Sequence, residues 1–491
     1  MPGASNVEHI NRVVSESVLG GASVASVQDE LYSVIMRDDS YENAKTYSFK
    51  PTSVINNQRL NFEVPKQYED NFIELNTMRL SLKVKLVGKD GKVPPVGDVT
   101  LVAPIVNFPA AMIGSVNLFL NESQISSSGN SLLPYWSYTN ILLGESHQKK
   151  TTYRDVFGFY EDGRWNLPVK GTPGWDKRRR LFGRYNDDGK FEYYDESFTF
   201  MAPLLTDFTG CLNRLLPKVS VRVEVNLTDP GFYLTTALGE AHNAKTMGYK
   251  LHIEEAALVV DLKEMNPSLG LAVEKRLAAG DNVVYHTKRV DCKRLTLQAK
   301  QTSFSTDSIK QSETTPDRLL LFLVNHWAVD TPYGMSPMYA TRDVFPESAA
   351  IYGARKRIKE KLSSVLEYVN LTLNNESQEI CSMASSPDDL AKHHFLALQE
   401  AYGAGVLPGC VAVDYEDFQD GKYMMAYDLT KGKQASLSGV NVRQPAKPGN
   451  LKLQMQFSKE LPCNAYLYVI AEYHSAVTVD KNRNITYKFL D

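Results

Sequence analysis

The chain has 491 residues, of which 43% are hydrophobic and 23% are charged, and its formal net charge at pH 7 is −3. This composition suits two large soluble domains with substantial cores, and it excludes a low-complexity chain. The weak net charge argues against a surface that binds nucleic acid over its whole extent, although it is compatible with a local basic patch.

Residues 1–44 are predicted to form an N-terminal arm, because this segment is too short and too polar to fold independently. Its apolar residues at helical spacing are Ile10, Val13, Val14 and Val18. Two interpretations remain open, namely a helix or strand that docks on another surface, and a frayed terminus. The start of the chain lacks the basic and apolar pattern of a signal segment, so we expect a cytosolic or nuclear protein that is not secreted.

The following segment, residues 45–264, has the pattern of an all-β unit. Short alternating or apolar runs are found at Tyr47 to Phe49, Leu60 to Val64, Leu80 to Leu86 and Val99 to Val106. Many short strands separated by Pro, Gly and Asn are typical of a sandwich or barrel. The uncharged stretch 99–121 is long enough to cross a bilayer, but its prolines and alternating halves favour buried strands, so no membrane span is predicted.

A long charged and aromatic insertion, residues 147–195, interrupts this unit and carries the first of two basic clusters. The clusters consist of Lys177, Arg178, Arg179 and Arg180, and of Arg355, Lys356 and Arg357. Such runs bind phosphate backbones, or they lie in loops that pair with acidic loops of a neighbouring subunit. We favour the inter-subunit loops, because neither cluster is interleaved with stacking aromatic residues, and specific nucleic-acid binding is not predicted.

Residues 265–280 are predicted to be a linker with a short helix that ends before Gly280. A second unit, residues 281–491, is again dominated by strand patterns. Examples are Leu319 to Val324, Tyr423 to Leu429 and Leu467 to Ile470. The whole chain is therefore expected to be two β units with a few short helices.

The two units share a near copy of one strand. Residues 116–125 read VNLFLNESQI and residues 369–380 read VNLTLNNESQEI, about half the chain length further on. Both copies are followed by a serine-rich loop, a helical pattern and a glycine. The apolar positions of the repeated strands are Val116, Leu118, Leu120, Val369, Leu371 and Leu373. Several matches in the same order indicate an internal duplication of a unit of roughly 200 residues.

Catalytic and metal-binding signatures are absent from the sequence. It contains no phosphate-binding, zinc-protease or nucleophile-elbow motif. His393 and His394 are adjacent on a predicted helix and point about 100° apart, which does not suit a metal pair. Glu254 and Glu255 are adjacent on a predicted strand and should face opposite sides unless a bulge intervenes. Five scattered cysteines show no metal-ligand spacing. We therefore predict no catalytic residue, no cofactor and no metal, and hence no enzyme.

Four segments carry a resemblance to a known family. They are Ala103 to Phe108, Ser115 to Asn121, Leu133 to Leu143 and Tyr423 to Thr430. In sequence and order they resemble the double jelly-roll major capsid proteins of Polinton (Maverick) elements, adintoviruses and virophages. The resemblance extends from about residue 45 to the end of the chain, and it is a pattern of strands and loops without a catalytic signature.

This resemblance implies an all-β fold of two tandem eight-stranded jelly-roll barrels with short helices in the loops. It further implies a structural coat protein of an icosahedral double-stranded DNA virus or virus-like element. Three copies would close into a pseudo-hexagonal homotrimer that tiles a capsid facet, with penton and minor capsid proteins as further partners. The expected location is the virion capsid, assembled in the host nucleus or cytoplasm.

Three alternatives remain open. A captured host copy of a capsid gene would keep the fold without assembling. A glycan amidase on a double jelly roll would need converging acidic residues at a barrel mouth. A carbohydrate-binding protein would need an exposed aromatic platform, for which Trp165 with Trp175 is the candidate in the sequence.

Overall fold

The fold was analysed in a computed structural model of the chain. It describes residues 41–56, 58–65, 71–95, 102–126, 133–144, 160, 173–208, 214–236, 248–307, 309, 314–325, 365–378, 380, 386–402, 413–419, 422–430, 448–461 and 464–489. Strands predominate in these ranges, and all paired strands are antiparallel.

The described part of the first half of the chain contains twelve strands, eight of which form a barrel of two four-stranded sheets. The strands are β1 (Tyr41–Phe49), β2 (Arg59–Glu63), β3 (Phe72–Val87), β4 (Val102–Pro104), β5 (Ile113–Leu120), β6 (Ser123–Gln124), β7 (Gly183–Tyr185), β8 (Phe191–Tyr193), β9 (Phe198–Pro203), β10 (Val221–Leu227), β11 (Leu234–Thr236) and β12 (Lys250–Met265). The sheet orders are β1-β12-β3-β9 and β2-β10-β5-β6. The pairs β4-β11 and β7-β8 are additions to this first barrel.

The second barrel repeats the same arrangement. Its strands are β13 (Val283–Leu297), β14 (Ser303–Thr306), β15 (Arg318–Asn325), β16 (Leu366–Leu373), β17 (Glu376–Ser377), β18 (Met425–Asp428), β19 (Leu451–Phe457), β20 (Ala465–Val479) and β21 (Ile485–Phe489). The sheet orders are β13-β20-β15-β18 and β14-β19-β16-β17, and β21 pairs with β20.

The two barrels have the same topology strand by strand. Counted along the chain, the main strands of each barrel are ordered first-eighth-third-sixth in one sheet and second-seventh-fourth-fifth in the other. This is the jelly-roll arrangement of two stacked antiparallel sheets. The predicted fold class, two tandem eight-stranded jelly rolls, is confirmed. The boundaries that we predicted for arm, barrels and linker stay a prediction, and β1 begins at Tyr41, within the segment predicted as the arm.

Short helices lie between the strands. They are α1 (Phe108–Ala111), α2 (Leu133–Gly144), α3 (Pro173–Arg180), α4 (Pro230–Tyr233), α5 (Pro267–Ala278), α6 (Pro387–Tyr402) and α7 (Tyr415–Gln419). Helix α5 is the predicted linker helix. Its first turn is capped by Asn266, whose side-chain oxygen accepts a hydrogen bond from the Ser268 amide at 3.0 Å, and Pro267 suits the first helical position.

The uncharged stretch 99–121 contains more than the buried strands expected from its sequence. In its described part, β4 and β5 flank α1, and all three elements are largely buried. Asn107 has a left-handed backbone with φ 57°, and Pro109 fixes a helical φ, so the chain makes one helical turn between the strands. No helix in the described ranges is long and apolar enough to span a membrane.

The core of each barrel follows from strand alternation. On β3, Leu80, Leu82 and Val84 are completely buried, whereas Ser81 and Lys83 between them are partly exposed. Side chains at alternate positions of a strand point to the same face, so one face of this sheet packs inward. Each such aliphatic side chain contributes roughly 1.5–3 kcal/mol through burial, which makes the core the main stabilising contribution.

Candidate functional site: the joint between the two barrels

The repeated strand occupies matching places in the two barrels. The six apolar positions that the sequence singles out lie on β5 and β16: Val116, Leu118, Leu120, Val369, Leu371 and Leu373. Leu118 and Leu371 are completely buried, and Leu373 is partly buried against the core. The carbonyl of Leu118 accepts a hydrogen bond from the Ile125 amide at 2.9 Å, and that of Leu371 accepts one from Gln378 at 2.7 Å. The two hairpins therefore have the same local hydrogen-bond pattern.

The same tight turn closes both hairpins. Asn121 and Glu122 have φ values of 46° and 68°, and Asn374 and Asn375 have values of 50° and 68°. Two successive residues with positive φ form the turn whose twist suits a two-residue hairpin, and Asn tolerates this conformation better than most residues. The duplication that the sequence indicates is thus present in the backbone as well.

The turn asparagines also bind the neighbouring strand in the same way. The side-chain oxygen of Asn121 accepts a hydrogen bond from the Ser220 amide at 2.8 Å, just before β10. The side-chain oxygen of Asn374 accepts one from the Asn450 amide, also at 2.8 Å, just before β19. Each asparagine therefore fixes its hairpin to its own barrel.

Asn121 additionally contacts the other barrel. Its side-chain amide donates to the carbonyl of Arg483 at 2.8 Å, in the turn between β20 and β21. Arg483 in turn donates through Nε to the carbonyl of Pro217 at 3.1 Å and pairs through Nη2 with Glu274 of α5 at 2.5 Å. We call this set the Arg483 clasp. It ties a turn of the second barrel to the first barrel and to the linker helix.

Aromatic side chains form the apolar part of the joint between the barrels. The ring of Tyr135, on α2, lies 4.3 Å from that of Tyr468 and 6.0 Å from that of Phe322, both on the second barrel. Nearby, the Tyr285 hydroxyl accepts a hydrogen bond from the Leu216 amide at 3.0 Å. Each aromatic pair is worth about 0.5–1.5 kcal/mol beyond its buried area, so these contacts hold the barrels firmly together.

Charged groups form a second part of the joint. The Lys288 amide on β13 donates to the carbonyl of Asp207 at 3.3 Å, which joins the edge of the second barrel to the first. Burial raises the pKa of the Asp207 carboxyl to about 7, although the charge of Arg289 acts in the opposite direction. Arg289 itself pairs with the buried Asp291 at 2.9 Å. A cavity of about 30 Å³ adjoins Asp207 and Cys292, enough for a water molecule.

A buried ion pair lies close by on the second barrel. Arg318 donates through Nε to Glu472 at 3.1 Å and through Nη1 to the carbonyl of Ala401 at 3.0 Å, near the end of α6. Burial alone would raise the pKa of Glu472, but Arg318 and Lys288 hold it below its usual range. This pair attaches α6 to the sheet and has a structural role.

The first basic cluster is a helix rather than the loop expected from the sequence. It lies on α3, and both Arg178 and Arg179 are completely buried. Arg178 donates to the carbonyl of Pro104 at 2.8 Å, and the guanidinium of Arg179 lies 4.6 Å from the Trp175 ring and 4.1 Å from the Phe191 ring. A guanidinium can be buried in this way because its faces stack on aromatic rings.

Only part of this cluster is therefore available to a partner. Lys177 and Arg180 are exposed, whereas Arg178 and Arg179 are buried against β4, β7 and β8. The second cluster, Arg355, Lys356 and Arg357, lies outside the described residues. Trp175 is completely buried, so it does not form part of the exposed aromatic platform that a carbohydrate-binding protein would need. Trp165, the other candidate for such a platform, also lies outside the described residues.

The histidine pair of the sequence does not form a metal site. His394 is buried, its Nδ1 lies 2.7 Å from the Tyr423 hydroxyl, and burial lowers its pKa to about 3. His393 is partly exposed and faces Asp389 at 3.9 Å. Within the described part of the chain, no three His, Cys, Asp or Glu residues converge as metal ligands.

The adjacent glutamates differ from their expected arrangement. A bulge at Glu254 interrupts the register of β12, so Glu254 and Glu255 are both exposed and line one shallow groove of about 450 Å³. Lys83 pairs with Glu255 at 2.9 Å and, through this hydrogen bond and charge, lowers the pKa of that carboxyl. A general acid or base works best with a pKa near the working pH, so the lowered pKa of Glu255 does not suit proton transfer.

Comparison with known proteins supports the fold. No protein-family model and no curated protein matches the chain. Among solved structures, a chain of the Sputnik virophage structure, determined by cryo-electron microscopy, aligns with a TM-score of 0.59 at 12% identity, over 96% of this chain and 94% of that one.

Two further solved structures extend this comparison. The faustovirus major capsid protein aligns with a TM-score of 0.55 at 10% identity, over 96% of this chain and 98% of that one. The mavirus major capsid protein aligns with a TM-score of 0.51 at 9% identity, over 96% of each chain. The resemblance seen in the sequence is thus confirmed for the double jelly-roll fold over nearly the whole chain.

Proposed function

We propose that the chain is the major capsid protein of an icosahedral double-stranded DNA virus or of a Polinton (Maverick) element, and that it has no catalytic role. The observation that carries this proposal is the duplicated jelly roll, which matches two named major capsid proteins over 96% of this chain. The joint also suits a building block, because hydrogen bonds, an ion pair and aromatic contacts connect the two barrels.

The assembly we propose is a homotrimer. Two similar barrels per chain give six around a threefold axis, which approximates a hexagon that tiles a facet. The contacts would run head to tail, with the second barrel of one copy against the first barrel of the next. The contact between the barrels of neighbouring chains would then repeat the contact between the two barrels of one chain.

An open sheet edge supports this arrangement. Strands β1 and β13 are the matching edge strands of the two barrels. The first barrel contacts β13 through a hydrogen bond from the Lys288 amide to the Asp207 carbonyl, whereas residues 42–46 of β1 are exposed. Exposed edges attract pairing partners, so a neighbouring second barrel would cover β1. Asn374 would then contact the first barrel of the neighbouring copy, in the way that Asn121 contacts Arg483 within one chain.

Replacement of Ala44, an exposed residue of β1, tests this interface. We expect Ala44→Trp to block the neighbour and give a folded monomer in analytical ultracentrifugation. The matched control Ser305→Trp adds the same bulk to β14, an edge strand of the other sheet, and should leave a trimer. If both variants form trimers as stable as those of the wild type, β1 is not part of the interface between copies.

The remaining partners and the location follow from the same proposal. Penton and minor capsid proteins would complete the shell, the chain would reside in the virion capsid, and assembly would take place in the host nucleus or cytoplasm. A wild-type chain that stays monomeric would favour a captured copy that no longer assembles.

A further inference from the structure

The point at which the N-terminal arm leaves the first barrel is fixed. Tyr41, the first residue of β1, pairs with Met265 at the end of β12. Arg214 donates to the Tyr41 hydroxyl at 2.5 Å, and its guanidinium lies 4.1 Å from the Tyr41 ring, while Lys263 lies 5.7 Å from the same ring. Because α5 begins two residues after Met265, the arm emerges beside the first turn of this helix.

Helix α5 presents an apolar surface at this place. Leu269 and Leu271 are 41% and 58% exposed, and Ala272 is exposed as well. At about 100° per residue, Ala272 lies between the two leucines around the helix axis, and the three residues span about 160° of the helix, with the small Ser268 among them. The opposite side of α5 packs on the barrels through Val273 and Leu277.

The charges of this surface and of the arm are complementary. The next turn of α5 exposes Lys275 and Arg276, and Arg276 is paired with Asp281 at 3.1 Å, so Lys275 is the main positive charge of this turn. Residues 1–40 contain six acidic and two basic residues, a formal charge of 2 − 6 = −4: Glu8, Glu16, Asp29, Glu30, Asp38 and Asp39 against Arg12 and Arg37. An acidic segment tethered beside a basic helix turn is attracted to it.

The arm also has an apolar stripe that needs a partner. Ile10, Val13, Val14 and Val18 follow the i, i+3, i+4, i+8 spacing of one helix face. An isolated helix of this length is marginal in water, so it forms only where its apolar face is buried.

We propose that residues 10–18 form a short helix that packs on the solvent side of α5 in the same chain, with its apolar stripe on Leu269, Leu271 and Ala272. The inference goes beyond the proposed function, because it does not depend on assembly.

The length of the intervening chain allows this contact. Between Val18 and Tyr41 lie 40 − 18 = 22 residues. They reach up to about 70 Å when extended, whereas the 12-residue α5 is about 18 Å long. A tether of this kind gives an effective concentration on the order of millimolar, which favours the arm of the same chain over that of another.

Limited trypsin digestion of the full-length chain tests the contact. Cleavage after Arg12 should be at least ten-fold faster in the double variant Leu269→Gln, Leu271→Gln than in the wild type. The matched control Leu396→Gln changes a leucine of α6 that is 56% exposed and should leave the rate unchanged. Equal rates in all three proteins would overturn the proposal.

A photo-cross-linking amino acid at position 271 identifies the occupant. We expect a cross-link to residues 10–18 at the mass of a single chain. Cross-linked dimers would show that the arm of another copy occupies α5, and the absence of any cross-link to the arm would show that α5 is not its site. Both of these results contradict the proposal. A monomeric wild type would count against the capsid proposal alone, since this cross-link forms within one chain.

Discussion

Asp207 is a buried carboxyl group at the joint, and its ionisation opposes folding. Burial raises its pKa to about 7, Arg289 partly offsets this rise, and Asp291 adds to it. An unfolded aspartate has a pKa of about 3.9. Between these values the unfolded chain releases the proton while the folded chain retains it, so this group makes the fold less stable as pH rises through the window from about 4 to about 7.

Substitution of this carboxyl should therefore stabilise the chain only at high pH. We expect Asp207→Asn to raise the free energy of unfolding by on the order of 1–3 kcal/mol at about pH 8 and to change it little at about pH 4. Denaturant titrations of wild type and variant at both pH values measure this difference. Asp281→Asn, at an exposed position, is the control. An equal effect of Asp207→Asn at both pH values would contradict the assignment.

A single substitution removes two of the contacts of the Arg483 clasp. Arg483→Ala removes the hydrogen bond to Pro217 and the ion pair with Glu274. We expect a loss of about 1–3 kcal/mol of stability in denaturant titrations, because the contacts are partly buried and one involves two charges. The control Lys392→Ala removes an exposed pair with Asp388 on α6 and should change stability by less than about 0.5 kcal/mol. A clasp variant as stable as its control would show that the joint does not depend on Arg483.

At the scale of elements, the repeated strands are the features on which both barrels depend. Leu371→Asp places a charge where the side chain is completely buried, and it should abolish soluble folded protein. Thr372→Asp, the next residue of β16, lies on the partly exposed face and should leave the protein folded. Circular dichroism and gel filtration of the two variants distinguish these outcomes. Folded Leu371→Asp protein would mean that β16 does not line the core.

The elements also show which inferences the sequence supported. Strand periodicity is local, so β3, β5, β10, β16 and β19 were predictable from alternation alone, and α5 and α6 from helical spacing. A run of charges is usually exposed, but on α3 Arg178 donates to the carbonyl of Pro104 and Arg179 stacks on Trp175 and Phe191. Pro104 and Phe191 lie outside the run, so the run alone gave no sign that these two arginines are buried. The bulge at Glu254 likewise has no local signature.

The joint could not be predicted for a related reason. Its contacts join residues far apart in the chain, such as Asp207 with Lys288 and Asn121 with Arg483. The first is a hydrogen bond between two backbone groups and the second joins a side chain to a backbone carbonyl, so neither belongs to a motif that the sequence could show. Only the asparagines had a sequence signal, because the duplicated hairpin places them at the same position in both barrels.

At the scale of the whole molecule, the duplication connects fold and assembly. One chain already contains one contact between a first and a second barrel, and repetition of that contact around a threefold axis would satisfy the open edge of β1 in each copy. The proposed role therefore needs no residue chemistry beyond packing and hydrogen bonding at the joint.

The mass of the purified wild-type chain in solution, with negative-stain images of the same peak, tests this account most directly. The account predicts three copies of the 55.0 kDa chain in one particle with a six-lobed, hexagonal outline. A stable monomer at micromolar concentration, or a dimer with a twofold outline, would contradict it.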